Sequence, residues 1–240
     1  HLGALPFLLN EVQAPIYATK LVAGFIEDKL KEYNTPHQKI NILNPDEETG
    51  VKLGGFRIDP FRVSHSVPDG VGFAITTPEG VIFHVADYKF DWTPVDGRPF
   101  DLAKAAILAK RGVLALASDC LGATTEGYTQ SEKQIENTIE NLVSGSVNRV
   151  YFTTISSNIS RIQQAINVAE RVGRKVVFIG RSIEKKAEIA KRLGFLHFDS
   201  GLIVSLKQAA KFKQGQILFI ISGSYGQIGS ARYRLSLREH

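Results

Sequence analysis

Residues 149–180 read RVYFTTISSNISRIQQAINVAERVGRKVVFIG, and this stretch decides the fold class. Arg149 to Thr153 is a short run of strand-forming residues. Ile162, Ala165, Ile166 and Ala169 then recur at helical spacing, and Gly173 ends that helix. Lys175 to Gly180 is a second strand. A strand, a helix and a strand in this order predict a parallel pair joined by a crossover. The rhythm continues downstream, where Ser182 is expected to cap a helix running to Gly194 and Gln216 to Ser222 form another strand. Upstream, Thr129-Gln130-Ser131-Glu132 reads as a capping box. It opens an amphipathic helix through Ile135, Ile139, Leu142 and Val143 that stops near Gly145. The second half is therefore expected to be a Rossmann-like α/β layer.

The first half has a different rhythm. Leu2 to Leu9 starts a short apolar helix, Ala14 to Ala18 a short strand, and Val22, Ile26, Leu30 and Tyr33 a longer helix. Phe56, Ile58, Phe61 and Val63 alternate around Pro60, which suggests an edge strand or bulge. Gly72 to Thr76 and Val81 to Ala86 flank a hairpin turn at Thr77-Pro78-Glu79-Gly80. Val113 to Ala117 is a continuous apolar run, expected to be a buried strand. The boundary falls near residue 130, giving two domains, 1–130 and 131–240.

Composition narrows the class. Hydrophobic residues make up 43% and charged residues 22% of 240 residues, which suits a core-forming chain rather than a disordered one. No run reaches the roughly 18 apolar residues of a membrane span. Cys120 is the single cysteine, so no internal disulfide can form; it is expected to be a small buried side chain. A chain of this usage fits a reducing, cytoplasmic setting. The net charge of +5 is unevenly held. Residues 1–130 carry 12 Lys/Arg against 16 Asp/Glu, and residues 131–240 carry 17 against 8. An acidic half suits cation binding and a basic half suits a polyanion, although Lys and Arg also populate ordinary solvated helix faces. Methionine is absent, even at position 1. The chain is read as an internal piece of a longer protein; a tag remnant is the other reading of His1.

Three short stretches carry chemistry. Ser64-His65-Ser66-Val67-Pro68-Asp69 follows one strand, Val85-Ala86-Asp87-Tyr88-Lys89-Phe90-Asp91 follows another, and His1-Leu2-Gly3-Ala4-Leu5-Pro6 opens a helix. A His or Asp just past a strand end can meet others at one rim of a sheet. Imidazole and carboxylate are ligands of hydrolytic zinc, and a carboxylate can bridge two metals. Singly, such residues are more often surface or turn residues; the set and its order give them weight. Gly223-Ser224-Tyr225-Gly226-Gln227-Ile228-Gly229 after a strand invites a nucleotide-loop reading, but it lacks both Gly-x-Gly-x-x-Gly and a Gly-Lys-Ser/Thr ending.

These stretches, in this order, resemble the RNase J family, which has a metallo-β-lactamase fold carrying a β-CASP domain. His1 to Leu9 resembles the end of that family's His-x-His-x-Asp-His loop and the helix after it. His65 to Asp69 resembles its His-Ser-Ile-Pro-Asp, and Val85 to Asp91 its Thr-Gly-Asp-Phe-Lys-Phe-Asp. Ser118-Asp119 resembles the acidic motif closing the metallo-β-lactamase part. Gly127 to Glu132, Ser156 to Arg161, Gly180 to Ser182 and Ser222 to Ser224 are similar to later family stretches. The chain departs from the family at Ala4, Ala86, Ser160, Tyr225 and Gln227.

The resemblance implies a partial metallo-β-lactamase αβ/βα sandwich followed by a partial Rossmann-like β-CASP domain. It implies hydrolysis of RNA phosphodiesters with two Zn2+ ions in the full-length parent, Mn2+ or Mg2+ being alternatives. His65 and His1 would each bind one ion, Asp87 would bridge them, and Asp119 would orient a ligand or water. Ser157, Arg161, Arg181 and Ser182 would contact the phosphates of single-stranded RNA. A cytoplasmic 5′-to-3′ exonuclease with endonuclease activity, homo-oligomeric in the parent, is the leading expectation, with the isolated fragment inactive. A non-catalytic RNA-binding subunit of the same fold and an unrelated nucleotide-binding module are the competing ones.

Overall fold

The structure is a computed structural model that describes residues 2–36 and 39–238. It is a mixed α/β fold divided into two compact units, His1–Trp92 with Arg98–Thr129, and Thr93–Gly97 with Gln130–His240.

The first unit contains α1 (Leu5–Glu11), β1 (Ile16–Ala18), α2 (Lys20–Glu32), β2 (Ile40–Ile42), β3 (Val51–Leu53), β4 (Phe56–Arg62), β5 (Val71–Thr77), β6 (Gly80–Val85), α3 (Leu102–Ala109) and β7 (Val113–Ser118). β1 and β2 pair in parallel. The other five strands form one sheet in the order β3-β4-β5-β6-β7. Its pairs are antiparallel except β6 with β7. The β5–β6 hairpin is as expected: Thr77 pairs with Gly80, and the Thr77 hydroxyl accepts from the amides of Glu79 and Gly80. The core under the sheet is aromatic, with the Phe61 ring 5.4 Å from Phe83 and 5.9 Å from Phe100. Gly72 has no alternative there, because a Cβ would lie 2.5 Å from the Phe61 ring. A second core gathers Leu9, Ala18, Ala23, Ile26 and Leu30 around α1 and α2.

Pro60 lies on β4, which is paired on both sides rather than at an edge. β3 pairs only as far as Ile58, however, so at Pro60 the strand has β5 alone as a ladder partner. That is where a residue without an N–H is tolerated. Two expectations are corrected at the far side of the sheet. β7 is exposed along its whole length, not buried. It is the last strand of the sheet, and its apolar side chains find no covering layer among the described residues. Cys120, just beyond it, is exposed too.

The second unit contains α4 (Glu132–Ser144), β8 (Val150–Thr154), α5 (Ile159–Arg171), β9 (Lys175–Ile179), α6 (Arg181–Leu193), α7 (Leu206–Ala209), β10 (Ile217–Ser222) and α8 (Ala231–Ser236). Its three strands are all parallel, in the order β8-β10-β9. β10 is central and entirely buried, as a parallel strand covered on both faces should be. Ile217, Phe219 and Ile221 pack with Ala209 of α7 and Ala231 of α8.

The cap positions differ from the sequence reading. Ser131, not Thr129, caps α4, its hydroxyl accepting from Lys133 N. Glu132 pairs instead with Arg161, so it does not reach back as a capping-box carboxylate. Gly180 rather than Ser182 caps α6, with a φ of 115° that L-residues rarely adopt. A Cβ there would lie 2.2 Å from the Ser222 hydroxyl, so glycine is required where β9 hands over beside β10. Leu142, read as part of the apolar face of α4, is exposed, while Ile139 and Val143 are buried.

Arg174 is buried just before β9. Its guanidinium donates to the carbonyls of Val143 (3.1 Å), Asn148 (2.8 Å), Ile217 (3.1 Å) and Ser146. One cation thus closes the end of α4, the following loop and the start of β10.

Candidate metal centre and nucleic-acid surface

β4 runs antiparallel to β5, and β5 antiparallel to β6, so β4 and β6 point the same way; β7 is parallel to β6. The C-terminal ends of β4, β6 and β7 therefore reach one rim of the sheet. His65, Asp87 and Asp119 each sit just past one of those ends. Topology alone gathers the three sequence-predicted residues to that rim.

Local contacts then set the positions. Ser64 and Lys89 form an antiparallel bridge, with Lys89 N donating to Ser64 O at 2.8 Å. This bridge lies beside both His65 and Asp87. His65 Nε2 is 3.8 Å from Asp87 Oδ2, with the side chains 32% and 43% exposed. Both groups are open to an incoming ion and still close enough to share it: Zn–N and Zn–O bonds of about 2.0–2.2 Å allow donor atoms up to roughly 4 Å apart. The Ser66 hydroxyl lies 3.3 Å from the same ring nitrogen. Asp119 is exposed; its amide donates to Val85 O at 2.9 Å, and its Oδ1 accepts from Leu121 N at 3.0 Å. Among the described residues, no group of three His, Cys, Asp or Glu side chains converges as a metal site. His1 lies outside the described residues.

Several supporting residues were not singled out by the sequence reading, although they sit in the same motifs. Asp91 is buried and lies 3.8 Å from Lys89 Nζ, and the Ser64 hydroxyl donates to its carbonyl at 3.5 Å. The Ser118 hydroxyl donates to the Tyr88 hydroxyl at 3.2 Å, lacing the end of β7 to the Asp87 loop. Asp69 accepts from Leu21 N at 3.1 Å. Burial raises the Asp69 carboxyl above its ordinary range, against hydrogen bonds from Leu21, Thr19 and Lys20 that pull it down. In the sequence these residues are marked only by lying inside the short motif stretches that also carry His65, Asp87 and Asp119.

In the second unit the parallel strands also end together. Ser157 follows β8 and is half-buried, and Arg181 and Ser182 follow β9 and are exposed on the first turn of α6. Arg161 lies in the first turn of α5, and its Nη2 donates to Glu132 Oε2 at 2.6 Å. Asn158 caps α5 by accepting from Arg161 N at 2.9 Å. A cavity of about 520 Å³ opens beside β8 and β10, lined by Tyr151, Thr153, Ile221 and Arg232 among others. None of the four predicted phosphate contacts lines it. No described helix is long and apolar enough to cross a membrane.

Comparison with known proteins agrees with the resemblance. Residues 147–240 match the family model for the beta-CASP domain of Ribonuclease J. The whole chain is 36% identical over 240 residues to Ribonuclease J from Helicobacter pylori, covering 35% of that protein. It is 38% identical over 246 residues to Ribonuclease J from Thermus thermophilus, again with the whole chain matched and 43% of that protein covered. The chain thus spans between about a third and two fifths of the length of these relatives. A crystal structure of a protein of unknown function from Enterococcus faecalis shares the fold, with a TM-score of 0.64 at 14% identity over 94% of this chain and 61% of that one.

Proposed function

Because the chain is similar along its whole length to ribonuclease J proteins, we propose that it forms part of a metal-dependent ribonuclease acting in RNA maturation and decay. The observation that carries the proposal is the convergence of His65 and Asp87, 3.8 Å apart, at the rim where three strands end. His65 would help hold one ion and His1 the other, Asp87 would be shared between them, and further ligands would come from outside this sequence. Zn2+, with Mn2+ or Mg2+ as alternatives, would supply Lewis acidity toward the phosphodiester and water at neutral pH. The Ser64–Lys89 bridge holds the two ligand loops at fixed spacing, so that the ion would not have to order them. Asp119, tied to the backbone of Val85, would orient a ligand or a water.

The basic second unit would hold single-stranded RNA by its phosphates. Arg181 offers a planar fork to phosphate oxygens from an exposed helix start. Ser182 and Ser157 would add hydroxyl donors, and Arg161 would contribute on leaving Glu132. We place the activity in the cytoplasm, in a homo-oligomer, as a 5′-to-3′ exonuclease with endonuclease activity.

The test is Asp87→Asn in the gene product that carries this sequence. RNA hydrolysis should fall by at least about 10–100-fold while RNA binding persists, and hydrolysis within about threefold of the unmutated protein contradicts the proposal.

A further inference from the structure

The loop between β4 and β5 carries His65 near one end and Asp69 near the other. Asp69 has a φ of 70°, a left-handed conformation that aspartate and asparagine tolerate better than most L-residues. Its Oδ2 accepts from Leu21 N at 3.1 Å, across 48 residues of sequence. The Thr19 side chain and the Lys20 amide also favour its ionised form. These groups form the start of α2, a helix of 13 residues whose own N-cap residue, Thr19, makes no side-chain cap bond. The missing cap is supplied by the loop instead, with a carboxylate set at the positive end of the helix dipole. Pro68 stiffens the three-residue span between His65 and Asp69. The loop is therefore fastened at both ends, by the Ser64–Lys89 bridge and by Asp69 on α2.

We propose that Asp69 is the positioning residue for His65: by capping α2 across the fold, it holds the loop so that the imidazole stays facing Asp87. This rests on the reading that His65 and Asp87 bind a metal ion. Asp69 itself would touch neither metal nor RNA.

The test compares Asp69→Gly and Asp69→Asn in the gene product that carries this sequence. Glycine accepts the left-handed backbone without strain and removes only the carboxylate. Asparagine keeps an oxygen acceptor and the same backbone tolerance. Mn2+ is titrated while NMR follows paramagnetic broadening of the His65 ring, a readout that detects millimolar binding. Amide exchange at Leu21 and across 65–70 is measured in parallel. Asp69→Gly should speed exchange at these amides and weaken Mn2+ binding at His65, each by about tenfold, with Asp69→Asn within about twofold of the unmutated chain. Faster exchange in Asp69→Gly with unchanged Mn2+ affinity reduces the residue to a helix cap and overturns the positioning role alone. An unmutated chain whose His65 resonances stay sharp at millimolar Mn2+ overturns the metal reading, and the positioning role with it.

Discussion

Val113–Ser118 and Ile217–Ser222 are apolar runs of six residues that look alike as VLALAS and ILFIIS. Every residue of the first is exposed and every residue of the second is buried. The difference is one of position. β10 lies between β8 and β9 with side chains packed on both faces, whereas β7 has no layer packed over its side chains among the described residues. An apolar run marks a strand; its neighbours decide whether that strand becomes core.

Substitutions sharpen the contrast. Ile220→Ala in β10 should cost about 2–5 kcal/mol, because a fully buried side chain leaves a cavity. Leu116→Ala in β7, at a side chain 66% exposed, should stay within about 0.5 kcal/mol. Urea unfolding of each variant measures both, and equal losses would break the comparison. Next in size, Arg174→Met should cost about 2–4 kcal/mol by leaving four carbonyls without their shared donor, read in the same unfolding curves. Arg161→Ala removes the pair with Glu132 and should cost up to about 1 kcal/mol, while Arg181→Ala at the exposed start of α6 should cost less. Both should weaken binding of single-stranded RNA, with the salt slope shallower by about 0.7 log units per lost phosphate contact. Affinity that is flat with salt would count against the basic unit as the RNA-holding part.

The smallest expected effect concerns pH. The folded state raises the Asp69 carboxyl above its ordinary value of 3.8, so the folded protein holds that proton more tightly than the unfolded chain does. As pH rises from 3.8 through the raised value, this residue makes a falling contribution to stability. Asp69→Asn has no such titration, so its stability should gain on that of the unmutated protein across the same window. Parallel thermal melts from low to neutral pH check the sign; a constant difference would show that the folded state does not perturb the carboxyl.

Much of the fold was readable because it is local. Helical spacing at Ile162, Ala165, Ile166 and Ala169, and turn chemistry at Thr77 to Gly80, need no knowledge of distant partners. His65 and Asp87 were readable as motif residues following strands. What was not readable depends on topology. Nothing near Asp69 in sequence says that it caps a helix 48 residues away, and nothing near Ser118 says that it meets Tyr88. Ser131 rather than Thr129 caps α4, and Glu132 is held by Arg161, 29 residues on. The exposure of β7 and Cys120 reflects the lack of a covering layer among the described residues, which an apolar run does not encode.

The central claim is that His65 and Asp87 hold metal together. Metal content, measured by elemental analysis on the purified gene product that carries this sequence, tests it most directly. His65→Ala and Asp87→Asn should each lower bound zinc, with Asp87→Asn losing more because its carboxylate would serve two ions. Full zinc content in both variants would contradict the account.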